Sequence, residues 1–187
     1  MAGYESQGKE KITKLDLVKS TDEILFKRTE EFDFLNPPRD PEEIAMDLIE
    51  TMRAQLGYGL SANQCGLPYR VFVMDGPTPF VCFNPKIVDM SDELSPALEE
   101  ACLSFPGISI KVKRPLSLRV RFATPSGQTT TKQFMGMTAR CFLHETMHLN
   151  GYPFFEGLSR LKIERALATA KKRGYDYSGQ NLLKHAG

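Results

Sequence analysis

No apolar run in the 187 residues is long enough to span a bilayer. The first sixteen, MAGYESQGKEKITKLD, lack the hydrophobic core of a secretion signal, so a cytosolic protein is expected. Charge of one sign is lacking too: 24 Lys and Arg face 23 Asp and Glu, a net +1 that gives no reason to expect a nucleic-acid or membrane surface. The four cysteines, Cys65, Cys82, Cys102 and Cys141, include no CxxC pair. Without a secretion signal, a disulfide framework is not expected. What is present, 41% hydrophobic and 25% charged residues, suits one globular domain with its own core.

The pattern along the chain reads as α+β. Residues 1–14 are polar and aperiodic and are expected to be a tail, with one domain over 15–173 and a second polar tail over 174–187. A helix should begin at RDPEE: Asp40 caps, Pro41 suits the first position, and Glu43 completes a capping box. Ile44, Leu48, Ile49, Met52 and Leu56 form its apolar stripe, and Gly57 should stop it. GYGLSANQCGLP reads as a glycine-rich loop. YRVFVMD and FVCFNPKIVDM read as strands, and residues 108–134 as two or three more, with a turn at TPSG. A helix over about 138–149 ends at Asn150-Gly151. Another, over 159–172, has Leu161, Ile163, Leu167 and Ala170 as inward positions. Strands segregated from helices indicate α+β rather than an alternating α/β fold, and the expected arrangement is antiparallel strands packed around a central metal-binding helix, with a helix near each end. A monomer is expected.

Histidine is scarce. There are three, and two of them frame HETMH at 144–148. Four residues apart on a helix, His144 and His148 lie about one turn apart on one face and can reach one divalent ion. Glu145 is then placed to take a proton from a water at that ion. The third ligand is the open question. A protease class with a third histidine three residues beyond the glycine is excluded, because Phe154 stands there. Cys141 is excluded by length: it lies about 10 Å of helix rise from His148, against metal–ligand bonds of about 2.0–2.3 Å. Glu164, which would make a metallopeptidase, and Cys102, which would put a thiolate beside two imidazoles, both remain.

Three motifs in order resemble the peptide deformylases: GYGLSANQ (57–64), EACLS (100–104) and HETMHLNG (144–151), with the likeness running over about residues 21–173. The resemblance implies Cys102, His144 and His148 as metal ligands, Glu145 as general base and then general acid, and the Gln64 side chain and Leu103 N–H on the oxyanion. It also implies Gly59 beside an extended peptide, and a methionine pocket of Tyr58, Leu98, Met137 and Cys141. It points to Fe²⁺ as the native ion, with Zn²⁺, Ni²⁺ or Co²⁺ able to replace it, and to formylated nascent peptides at the ribosome as partners. The chain departs from the family pattern at Ser61 (usually Ala), Ala101 (Gly), Arg140 (apolar), Leu143 (Gln) and Met147 (Asp). These departures keep a third reading open, a homologue that binds metal or partner without catalysis. Glu100 calls for a buried cation, and Arg114 is the expected one.

Overall fold

The computed structural model describes residues 13–187. The expected N-terminal tail lies outside them but for Thr13 and Lys14. Thr13 is already fastened: its N–H donates to Asp47 Oδ1 at 2.7 Å.

Helix α1 (Pro41–Ala54) starts as the sequence dictates, with Pro41 in its first turn and the Asp40 carboxylate accepting from Glu42 N at 2.8 Å. Glu43 does not close the capping box; its carboxylate takes Arg39 Nε at 3.2 Å instead. Ile44, Leu48 and Met52 are fully buried, as their spacing requires. Leu56 is not part of that stripe. It lies beyond the helix end in the left-handed region, φ 55°, and is 92% exposed. The chain uses Leu56 where a glycine usually makes the turn, and Gly57 N closes on Met52 O at 2.9 Å.

Five strands form one antiparallel sheet in the order β1-β2-β3-β6-β7: β1 (Gly59–Ser61), β2 (Val71–Met74), β3 (Phe80–Met90), β6 (Ser117–Ala123) and β7 (Thr129–Met135). β4 (Leu98–Ala101) and β5 (Ser109–Val112) make a separate two-stranded sheet. The alternation in β2 sets the layers. Val71 and Val73 face α1 with Ile44, Leu48 and Met52. Phe72 and Met74 face the other way, against Phe142 and Leu149 of helix α2 (Gly136–Leu149). The small sheet packs instead with helix α3 (Arg160–Lys172) through Ile110, Val112, Ile163, Ala166 and Ala170. Helix α2 thus runs through the interior, which is why eight of its residues, charged ones included, are buried.

Other expectations need correction. In α3 the inward face is Ile163, Ala166 and Ala170, while Leu161, two residues before Ile163 and off that face, is exposed. Residues 174–187 are no free tail: Tyr177, Leu182 and His185 are buried, and Tyr177 Oη donates to Pro106 O at 2.8 Å. The segment is mostly polar, and the three are too few and too irregularly spaced for an apolar period to mark them. All four cysteines are free thiols.

Candidate metal centre

Helix α2 presents His144 and His148 on one face. The turn after β4 brings Cys102 to them, so the Cys102, His144 and His148 ligand atoms lie within 4.8 Å of one another, all buried. Cys102 Sγ stands 3.0 Å from His148 Nε2. Burial raises a thiol's pKa, but two imidazoles overcome it here and hold Cys102 well below the ordinary cysteine range. Burial likewise disfavours an imidazolium, yet Cys102 and Glu100 bring His144 up to about 10. The two shifts favour a thiolate beside an imidazolium. A soft thiolate with two imidazoles is a donor set that fits a first-row divalent ion with a position left open.

Glu100, buried on β4, approaches His144 Nδ1 at 3.3 Å. Arg114 donates to it through Nε at 3.0 Å and Nη2 at 2.9 Å, as the sequence suggests. Burial alone would raise the Glu100 carboxyl; His144 and Arg114 outweigh it and bring it down to about 2. Met147 supplies no charge, and its sulfur takes Arg114 Nη1 at 3.3 Å. Arg140 is not a plain lining residue: its guanidinium also binds Glu100.

Glu145 is buried between α2 and β1. Desolvation raises its carboxyl, while both histidines and a 2.7 Å hydrogen bond from Ser61 Oγ pull the other way. Sequence reasoning registers Ser61 only as a departure, and its contact with Glu145 spans 84 positions, beyond any local signal. Gln64 is held by Ser61 N, which donates to its Oε1 at 2.8 Å. Gln64 Nε2 donates to Ser104 Oγ at 3.0 Å and faces Cys102 Sγ at 3.7 Å. Among the described residues, Leu103 N makes no backbone hydrogen bond outside the helices and strands.

A cleft of about 580 Å³ opens onto these groups, lined among others by Leu56, Tyr58, Gly59, Gln64, Met137, Cys141, His144 and Glu145. Leu98 is not in its wall. It sits half-exposed at the outer end of β4, and Glu99 borders the cleft instead. Glu164 is remote from the cluster: 44% exposed, it pairs with Arg160 Nε at 2.8 Å on the surface of α3. That removes the ligand the metallopeptidase reading needs. Cys141, excluded as a ligand by helix length, donates to Tyr58 O at 3.3 Å.

Gly59 has a second reason to lack a side chain. A Cβ there would stand 2.6 Å from Glu145 Oε1 and 2.8 Å from Cys141 Sγ. Gly59→Ala is therefore expected to push Glu145 off its position and lower turnover by about 10²-fold, the effect of a misplacement near 1 Å. Steady-state kinetics would check this; native turnover in a folded Gly59→Ala would mean that Glu145 tolerates displacement.

Comparisons with known proteins identify a family. Residues 14–164 match the family described as polypeptide deformylase. A peptide deformylase of Agrobacterium fabrum is 42% identical over 130 residues, covering 66% of this chain and 76% of the relative. One from Wolbachia pipientis wMel is 37% identical over 172 residues, covering 84% and 94%. The crystal structure of peptide deformylase from Ehrlichia chaffeensis superposes with a TM-score of 0.77 at 33% identity, over 87% of this chain and 97% of that one. With three ordered motifs, a buried cysteine–histidine–histidine cluster and full-length relatives in agreement, this chain belongs to the peptide deformylase family.

Proposed function

We propose that this chain is a metal-dependent amide hydrolase that removes the formyl group from N-formylmethionyl nascent polypeptides and releases formate. The observation that carries it is the convergence of Cys102, His144 and His148 beside a buried Glu145 at the cleft of a deformylase-family chain. In this reading Cys102, His144 and His148 hold a divalent ion, Fe²⁺ being the native one and Zn²⁺, Ni²⁺ or Co²⁺ its substitutes. An ion held by these residues would supply Lewis acidity and make a water at the centre more acidic.

The chain's own groups do the rest. Glu145 takes the proton of the attacking water and later returns it to the departing amine. Gln64 Nε2 and the Leu103 N–H donate to the oxygen on which charge develops; Gln64 is already fixed for this by Ser61 N and Ser104. Gly59, on the edge strand β1, receives the extended peptide, while Tyr58, Met137 and Cys141 take the methionine side chain. The substrate is met at the ribosome, in the cytoplasm, and the enzyme acts as a monomer. Formate release from formyl-Met-Ala-Ser after Ni²⁺ loading tests the reading. Cleavage at an internal bond without formate would replace it, and metal binding with no hydrolysis would leave a binding homologue.

Metal loading should also release a proton. With its pKa raised to about 10, His144 favours the imidazolium at neutral pH and would have to give up that proton to ligate. About one proton per ion is expected at neutral pH, with affinity rising about tenfold per pH unit below that value. Calorimetry in buffers of different ionisation heat would read it; zero release would mean that His144 starts neutral.

A further inference from the structure

Arg140 lies one turn before His144 on α2, on the same face, and is buried. A buried cation there is costly unless every donor finds a partner. Here both terminal nitrogens do. Nη1 donates to Glu100 Oε1 at 2.5 Å and to Val112 O at 2.8 Å. Nη2 donates to Ser95 Oγ at 2.7 Å and to Pro96 O at 3.2 Å. One side chain thus ties helix α2 to strand β5, to the segment before β4, and to β4 itself.

Glu100 is where these ties meet the site. An ionised carboxylate offers about four lone-pair positions. Glu100 has four neighbours for them: Arg114 Nε and Arg140 Nη1 at Oε1, Arg114 Nη2 and His144 Nδ1 at Oε2. Arg114 alone would hold it from one side, and Arg114 has only a thioether, Met147 Sδ, at its other terminal nitrogen. The second side depends on Arg140. Glu100 stands two residues before Cys102 on the same strand end, and the small sheet that carries it is separate from the large one. The placement of Cys102 relative to the two histidines of α2 therefore runs through this contact.

We propose that Arg140 is a positioning residue of the metal centre: by clamping Glu100 against His144 and strand β4 against α2, it sets the convergence of Cys102, His144 and His148. The inference rests on the reading of those three residues as metal ligands. Its consequence is a centre whose hold on the ion depends on a residue that is not itself a ligand.

Arg140→Met removes the clamp while keeping an unbranched stem. With Co²⁺ as probe, its dissociation constant by chelator competition should rise about 10- to 100-fold, the usual cost of losing a partner behind a ligand. The Co²⁺ absorption bands should shift, while the circular dichroism of the metal-free protein stays native. Arg140→Lys, which keeps a charge for Glu100, should recover most of the affinity. Arg140→Met added to Glu100→Gln should cost little more than Glu100→Gln alone, because both act on one contact. Arg140→Gln is read in the same way should the methionine variant not fold. Affinity within twofold of native in either neutral variant, effects that multiply with Glu100→Gln, or failure of all three Arg140 variants to fold would each overturn the proposal. Absence of Co²⁺ binding in the native protein would instead overturn the ligand reading beneath it.

Discussion

Glu145→Gln should fold, keep its metal and lose at least about 10³-fold in turnover, within the range a positioned acid–base group contributes. The substitution is close to isosteric at a site with no spare room: Glu145 is buried, and its carboxylate lies where a Gly59 Cβ would stand 2.6 Å away. A glutamine fits this space. Its carbonyl oxygen can accept the Ser61 hydroxyl that now donates to Oε2 at 2.7 Å, so the local network survives. What it cannot do is take a proton from water at neutral pH or return one to an amine. Burial already raises the Glu145 carboxyl, bringing a carboxylate closer to the basicity that proton abstraction needs, and the two histidines and Ser61 keep it from going further. Formate release, metal content and thermal unfolding, measured on one preparation, separate the outcomes. Turnover within tenfold of native would take Glu145 out of the proton transfer.

The sequence made the two histidines legible because helical geometry turns a spacing of four into proximity. Glu145 came with them, and the Glu100–Arg114 pair was within reach as a buried acid seeking a cation. Cys102 was different. Nothing local separates it from Glu164 as third ligand, since it arrives from a turn after a four-residue strand, 42 positions before His144. Strands as short as β1 and β4 carry too few residues to show an alternation, so GLS and LEEA give no strand signal of their own. Arg140 and Ser61 register in sequence only as departures. Their partners, Glu100 at 40 positions and Glu145 at 84, are set by how β4 and β1 flank α2. The C-terminal segment lacks a signal for a related reason: Tyr177 is held by Pro106, and His185 packs on Phe26 and Phe155, contacts with distant parts of the chain that no stripe announces.

Cys102→Ala should empty the centre. It removes the only thiol of the proposed three-ligand set and leaves two imidazoles, with Glu100 engaged by His144, Arg114 and Arg140. The affinity loss should exceed the roughly 10- to 100-fold that follows from losing an outer partner of a ligand. The remaining ligands change as well. Cys102 is the strongest of the influences that raise His144, ahead of Glu100, so without the thiolate the imidazolium loses its main support and burial favours the neutral ring. Proton release on metal loading should then shrink along with affinity, a signature that loss of packing alone would not produce. Two controls fix the interpretation. Glu164→Ala should leave metal content unchanged, because its partner is Arg160 on an exposed helix face and such a pair is worth about 0.3–0.5 kcal/mol. Cys141→Ala should also retain metal, because that thiol is spent on Tyr58 O and burial holds it protonated. Metal analysis of the three purified variants decides the matter. An ion retained at native affinity in Cys102→Ala would remove the thiolate from the ligand set, and with it the feature that separates this centre from the helix-borne histidine pairs of metallopeptidases.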